Sequence, residues 1–135
     1  MLTYCDSSAL VVLLRPDEGN REPLVIETLR DATDVAGCEW ISPLEVTAAI
    51  HRGLGAQRRR AAERRWWEIW SRMVPVALDG PLYEAALEAS RKHRLRSLDA
   101  LHLGAALRIG CARLLTFDQE LARAAGAEGI VTVGA

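Results

Sequence analysis

Short strand-like runs alternate with longer helical patterns along the whole chain. Apolar runs of strand length occur at Leu2–Cys5, within Val35–Ile41, and at Val74–Leu78, Arg113–Thr116 and Ile130–Val133. Residues with apolar spacing typical of helices separate these runs. Strands that are joined through helices pair in parallel, and the helices cover both faces of the sheet. The alternation therefore predicts an α/β fold with a central parallel sheet.

The boundaries of the helices follow from caps and breakers. Ser42-Pro43-Leu44-Glu45 has the pattern of a capping box that opens a helix ending around Gly53. Pro75 places the third strand at an edge of the sheet. The remaining helices are predicted at Ala9–Leu14 with a stop near Pro16, at Gly19–Ala32 and Ala56–Met73, from Asp79 to about Arg94, from a Ser97 cap to Gly110, and from an Asp118 cap to Gly126.

The chain is predicted to be one domain over residues 1–135, because 135 residues leave no room for a second. Its longest aliphatic run, Ala9–Leu14, is far shorter than the ~20 residues that span a bilayer. The N-terminus lacks the pattern of a secretory signal, so we expect a cytoplasmic protein without a membrane partner. The net charge of −1 argues against a protein that coats nucleic acid, but not against a nuclease that grips a short segment.

Four acidic residues lie where such a sheet binds its ligands. Asp6 directly follows the first strand, and Asp118 follows the fourth strand by one residue. Glu45 and Asp99 lie near the starts of two predicted helices. Ligands bind at the carboxyl ends of parallel strands, which meet at one edge of the sheet. The sequence has no Gly-rich phosphate loop and no HExxH motif, so these acids are the main candidates for chemistry.

Carboxylates that converge at one edge need a cation among them. Two unit charges ~4 Å apart repel by roughly 4 kcal/mol at an effective dielectric constant of 20. Mg²⁺ or Mn²⁺ prefers carboxylate and water oxygens and supports phosphoryl chemistry. The four acids therefore form a candidate metal site.

Each acid also has a structural task available. Glu45 can close the capping box with Ser42, and Asp118 can cap a helix. Asp99 is a favourable acid for a first helical turn, and Asp6 can bind a turn amide. Spacing alone leaves both interpretations open.

Four segments resemble the motifs of PIN-domain ribonucleases, and more narrowly the VapC toxins of bacterial toxin–antitoxin pairs. These segments appear in the family's order and span nearly the whole chain: Tyr4–Leu10, Ser42–Val46, Ser97–Leu103 and Leu115–Leu121. The resemblance implies a three-layer α/β/α fold and an Mg²⁺- or Mn²⁺-dependent endoribonuclease that cleaves tRNA or another structured RNA by metal-activated water. It also implies a cognate antitoxin.

The resemblance assigns roles to individual residues. Asp6, Asp99 and Asp118 match the metal-binding acids, and Glu45 matches a fourth that often acts through water. Thr116 matches a supporting hydroxyl, and Ser7 is a weaker candidate for the same role. Two alternatives remain open: a PIN nuclease in housekeeping RNA processing, and a catalytically idle PIN module that binds a protein partner.

The aromatic segment after the arginine-rich run Arg58–Arg65 suggests an oligomer. Trp66, Ile69, Trp70 and Met73 form a helical stripe that suits either the core or an interface. Together with the resemblance, this stripe motivates the prediction of a homodimer. His102, three residues after Asp99, is expected to have a packing or supporting role.

Overall fold

A computed structural model describes residues 1–15 and 19–135. In these residues the chain forms five strands and seven helices, with one or two helices between consecutive strands. They are β1 (Leu2–Cys5), α1 (Ser7–Val12), α2 (Glu22–Asp31), β2 (Asp34–Cys38), α3 (Ile41–Gly53), α4 (Ala56–Ser71), β3 (Val74–Val76), α5 (Gly80–His93), α6 (Ser97–Ile109), β4 (Arg113–Thr116), α7 (Gln119–Ala127) and β5 (Val131–Gly134).

The strands form one parallel sheet with the order β3-β2-β1-β4-β5. β1 occupies the centre, where Tyr4 pairs with Ala36 of β2 and with Leu114 of β4. β3 carries Pro75 and lies at an edge, as its sequence predicts. Because all five strands run the same way, their carboxyl ends share one edge of the sheet. The predicted parallel sheet is confirmed.

Successive side chains of the central strands point into two separate cores, as expected for extended chains. Tyr4 and Leu114 pack in a core against α5, α6 and α7. Cys5 and Leu115 pack in a second core against α1 to α4. The sheet is therefore the middle layer of a three-layer α/β/α fold, as the resemblance implies.

α5 and α6 pack closely because a glycine lies at their contact. A Cβ at Gly104 would approach the backbone nitrogen of Ala86 to 3.1 Å and a methyl carbon of Leu82 to 3.2 Å. A larger residue would push the helices apart. This contact fixes α6, which carries Asp99 in its first turn.

The stripe on α4 belongs to the core. Trp66 and Met73 are buried in the second core, and Ile69 and Trp70 pack against it. The interface interpretation of this stripe is therefore wrong, and it no longer supports a homodimer. Trp67, off the stripe, is exposed.

Several predicted boundaries are off by a few residues. α1 begins at Ser7 because Asp6 caps it, and its predicted stop near Pro16 lies outside the described residues. α6 has Arg96 as its N-cap, without a side-chain bond, so the prediction that Ser97 caps it is wrong by one residue. Smaller shifts occur elsewhere: α2 is shorter than predicted, α4 ends at Ser71 and β3 at Val76, β2 begins at Asp34, and β5 runs over Val131–Gly134. In the described part of the chain, no helix has the length and apolar character to cross a membrane.

Candidate functional site

Asp6 lies at the carboxyl end of the central strand and is held by three donors. Its Oδ1 accepts a hydrogen bond from the Ser8 hydroxyl at 2.7 Å and one from the Ala9 amide at 3.2 Å. Its Oδ2 accepts from the Thr116 hydroxyl at 2.7 Å. The side chain is almost completely buried, with 4% of the residue exposed. The carboxylate is therefore fixed in one orientation before any ligand arrives.

The two hydroxyls that hold this carboxylate also bind the connection after β4. Thr116 Oγ1 accepts from the backbone amide of Asp118 at 3.0 Å, and Ser8 Oγ accepts from the amide of Phe117 at 3.0 Å. Asp118 caps α7, because its Oδ1 accepts from the amide of Leu121 at 2.9 Å. The first and last acids are thus linked through shared hydroxyl groups.

Glu45 projects from α3 into a chain of buried polar groups. Its Oε1 accepts from the Ser7 hydroxyl at 2.8 Å and lies 2.6 Å from Nε2 of His102. The Tyr4 hydroxyl lies 2.7 Å from Nδ1 of the same ring. Both ring nitrogens of His102 therefore have partners, and the ring orients Glu45.

The predicted capping box at the start of α3 is wrong. Trp40 is the N-cap residue, and Ser42 lies inside the helix. The Ser42 hydroxyl accepts from the amide of Cys38 at 3.0 Å, on the strand that precedes the helix. Glu45 is thereby free of the helix start and bonds to Ser7 and His102 instead.

Asp99 lies in the first turn of α6 and is half-buried. Burial raises the pKa of Asp99, and the negative charges of Asp118, Asp6 and Glu45 raise it further. The imidazole of His102 opposes this effect. Asp99 is therefore within electrostatic reach of the other three predicted site acids.

The acids differ in how well the protein stabilises their charges. Burial raises the pKa of Asp6, although its hydrogen bonds from Ser8, Thr116 and Ala9 work in the opposite direction. For Glu45, burial favours the neutral form, but the hydrogen bonds and charge of its partners leave the pKa below the ordinary value. The folded state thus favours the anion of Glu45, whereas burial disfavours the anions of Asp6 and Asp99.

The carboxylates do not form a closed cage. In residues 1–15 and 19–135, no three His, Cys, Asp or Glu side chains converge as a metal site. A cavity of about 470 Å³ lies beside Asp99 and Asp118 and is also lined by Arg94 and Arg96. A larger groove of about 970 Å³ runs along α2 and contains none of the predicted site residues.

Sequence reasoning missed two residues that hold the site together. Ser8 was recognisable only as a small hydroxyl residue beside Asp6, and Tyr4 as a core residue of β1. The contact of Tyr4 with His102 joins residues 98 positions apart, so local spacing could not reveal it. The expected supporting role of His102 agrees with its contact to Glu45.

The sequence matches the PIN domain over residues 3–127. It is 33% identical to Ribonuclease VapC45 of Mycobacterium tuberculosis strain CDC 1551 over 95% of this chain and 92% of that protein. The same values hold for Ribonuclease VapC49 of Mycobacterium tuberculosis strain H37Rv. The chain belongs to the PIN-domain family, and these two relatives within it are VapC ribonucleases.

Solved structures show the same fold. VapC20 of Mycobacterium tuberculosis, a toxin that cleaves the sarcin–ricin loop, superposes with a TM-score of 0.74 at 18% identity and covers 98% of this chain and 99% of its own. A toxin–antitoxin complex from Klebsiella pneumoniae gives 0.73 at 21% identity, with 96% of each chain covered. At these identities the likeness concerns the fold alone.

Proposed function

We propose that this protein is a metal-dependent endoribonuclease and the toxin of a toxin–antitoxin pair, acting on tRNA or another structured RNA. The identity to VapC ribonucleases, which extends over nearly all of both chains, supports the activity. The observation that carries the proposal is the convergence of the acids: Asp6 is joined through the Thr116 and Ser8 hydroxyls to the connection that carries Asp118, and Asp118 lines the same cavity as Asp99. A set of mutually repelling carboxylates at the ligand-binding edge of a parallel sheet suits a cation.

Nucleases of this family generally depend on a divalent metal ion. The donors here fit Mg²⁺ or Mn²⁺, because all four are carboxylates and burial disfavours the anions of two of them, Asp6 and Asp99, unless a cation is present. Mg²⁺ usually keeps several of its waters, so a closed cage of protein ligands is unnecessary. Asp6, Asp99 and Asp118 would hold the ion, with Glu45 acting through water. The bound ion would supply a water nucleophile and screen the charge of the cleaved phosphodiester.

The side chains around the acids keep them in place for this task. Thr116 and Ser8 orient the Asp6 carboxylate, so its position costs no reordering when the substrate binds. Ser7 and His102 hold one oxygen of Glu45, Oε1. Thr116 and Ser7 are therefore supporting residues in this proposal.

The proposed protein partner, an antitoxin, follows from the comparison with solved structures. The Klebsiella pneumoniae complex pairs its toxin with an antitoxin, and we extend that partnership to this chain. We further propose that residues 1–135 form a single domain, that two copies of the chain form a homodimer, and that the protein acts in the cytoplasm.

The test is RNA cleavage by the purified protein with Mg²⁺, with Mn²⁺ and with excess EDTA, beside an Asp99→Asn variant. We expect cleavage only with the metal ions and only by the wild type. Full activity in chelator would overturn the metal mechanism. No activity under any condition, with an intact fold, would favour the idle module that only binds a partner. A housekeeping nuclease would instead cleave RNA without arresting growth when expressed alone.

A further inference from the structure

Trp40 combines strong exposure with an unfavourable backbone conformation. The residue is 71% exposed, the highest value among the large hydrophobic side chains of the described residues. Its φ is 70° and its ψ is −45°. The amide of Ile41 donates to the carbonyl of Glu39 at 2.8 Å, which makes Trp40 the centre of a γ-turn of the rare, strained form. A bulky residue with positive φ is a genuine outlier.

The fold needs this turn but not this side chain. The turn is fixed on both sides, because the amide of Glu39 donates to the carbonyl of Val76 at 2.9 Å and the amide of Leu44 donates to the carbonyl of Trp40 at 3.1 Å. Glycine would take the same backbone conformation at less cost. The tryptophan therefore destabilises the fold in two ways, through its positive φ and through its exposed ring. We infer that it serves the binding of another molecule and not folding.

Trp40 stands at the edge of the sheet that carries the acids. It lies between the carboxyl end of β2 and the start of α3. Glu45 follows five residues later in α3, a separation of about 7.5 Å along a helix axis. Leu44, one turn after Trp40, is 66% exposed and extends the apolar surface.

An RNA strand approaching this edge meets carboxylates that repel its phosphates. Stacking of a base on an aromatic ring is independent of charge and of sequence. We propose that Trp40 stacks on a nucleobase of the RNA substrate and holds the strand beside the acids. This inference rests on the proposed ribonuclease function.

Binding is measured in EDTA, so that no strand is cleaved, with a 12-nucleotide oligoadenylate and with its abasic counterpart. Trp40→Ala should weaken oligoadenylate binding roughly 5- to 150-fold, the range found when stacked aromatics are removed. The abasic strand should bind wild type and variant equally. Trp40→Phe should retain most of the affinity. Trp67→Ala is the matched control, because this second exposed tryptophan lies on α4, and it should bind like the wild type.

Trp40→Gly separates substrate binding from folding. We expect an unchanged or higher melting temperature, because the strain at this turn is relieved, together with the same loss of oligoadenylate affinity as in Trp40→Ala. Equal binding by wild type and Trp40→Ala would overturn the proposal, as would an equal loss with the abasic strand. If Trp40→Ala binds oligoadenylate like the wild type but no longer binds the antitoxin or no longer dimerises, Trp40 is a protein contact and the proposal is wrong. Failure here would leave metal-dependent cleavage intact, so the two proposals fail separately.

Discussion

Replacing Glu45 with Gln removes the charge of this side chain and keeps its shape. Oε1 of Glu45 accepts from Ser7 at 2.8 Å and lies 2.6 Å from Nε2 of His102. A hydrogen bond to a charged group contributes about 1.5–3 kcal/mol, and a neutral one about 0.5–1.5 kcal/mol. The loss of charge should therefore cost about 1 kcal/mol. At this chain length the melting temperature of the metal-free protein should fall by about 3–5 °C.

The sign of this change follows from the pKa of Glu45. Burial alone would favour the protonated acid, but His102 and Ser7 lower the pKa below its usual value. The folded state therefore prefers the anion, and a neutral amide loses that preference. Removing one negative charge would also relieve repulsion among the acids and raise the stability. At Glu45 the lost contact with His102 is the larger effect, so the net change is a loss of stability.

Cleavage should fall at least tenfold in the same variant, a loss of ~1.4 kcal/mol in transition-state stabilisation. The measurements are thermal unfolding in EDTA and the cleavage rate at saturating Mn²⁺. Glu128→Gln is the matched control, because Glu128 also pairs with a histidine, His93, at 2.8 Å, but lies at the end of α7 opposite to Asp118. It should lose stability and keep its cleavage rate. If Glu45→Gln cleaves as fast as this control, the charge of Glu45 has no part in the reaction.

Three further substitutions test other parts of the structure. Asp99→Asn should raise the melting temperature of the metal-free protein at pH 7, because burial and nearby carboxylates raise the pKa of Asp99. This gain in melting temperature should fade toward acidic pH, where Asp99 is itself protonated. A lower melting temperature of the variant at pH 7 would contradict this account. Thr116→Val should lose about 1–3 kcal/mol in denaturant unfolding, since Asp6 loses a buried donor, whereas Thr116→Ser should recover most of it. His93 and Lys92 lower the pKa of Glu128. The stability advantage of wild type over Glu128→Gln should therefore persist at neutral pH and disappear below about pH 4.3 in melting curves, and a constant difference would refute it.

Periodicity predicted the layers of this fold because it reports which side chains must be buried. The alternation of Tyr4 and Cys5 between two cores follows directly from strand geometry. Asp118 was correctly predicted as a helix cap, because capping is a contact between near neighbours in sequence.

Distant partners explain what the sequence did not reveal. Ser42 and Glu45 have the spacing of a capping box, but the Ser42 hydroxyl bonds back to Cys38. Glu45 turns to His102, 57 residues away. The packing of α3 against α6 determines this contact, so the local spacing of residues in the sequence cannot predict it. The assignment of the acids to a metal ion stays a prediction.

The shared hydroxyls also set when the protein can become active during its synthesis. Asp6 is made before its partner Thr116, which follows 110 residues later in the chain. At about 5–20 residues per second, a ribosome needs about 6–22 s to cover that distance. Throughout this interval the nascent chain lacks both β4, which pairs with the central strand, and the last acid. A nuclease built this way cannot assemble its site, and so cannot cleave the messenger from which it is being translated, until Thr116 and Asp118 have both been made.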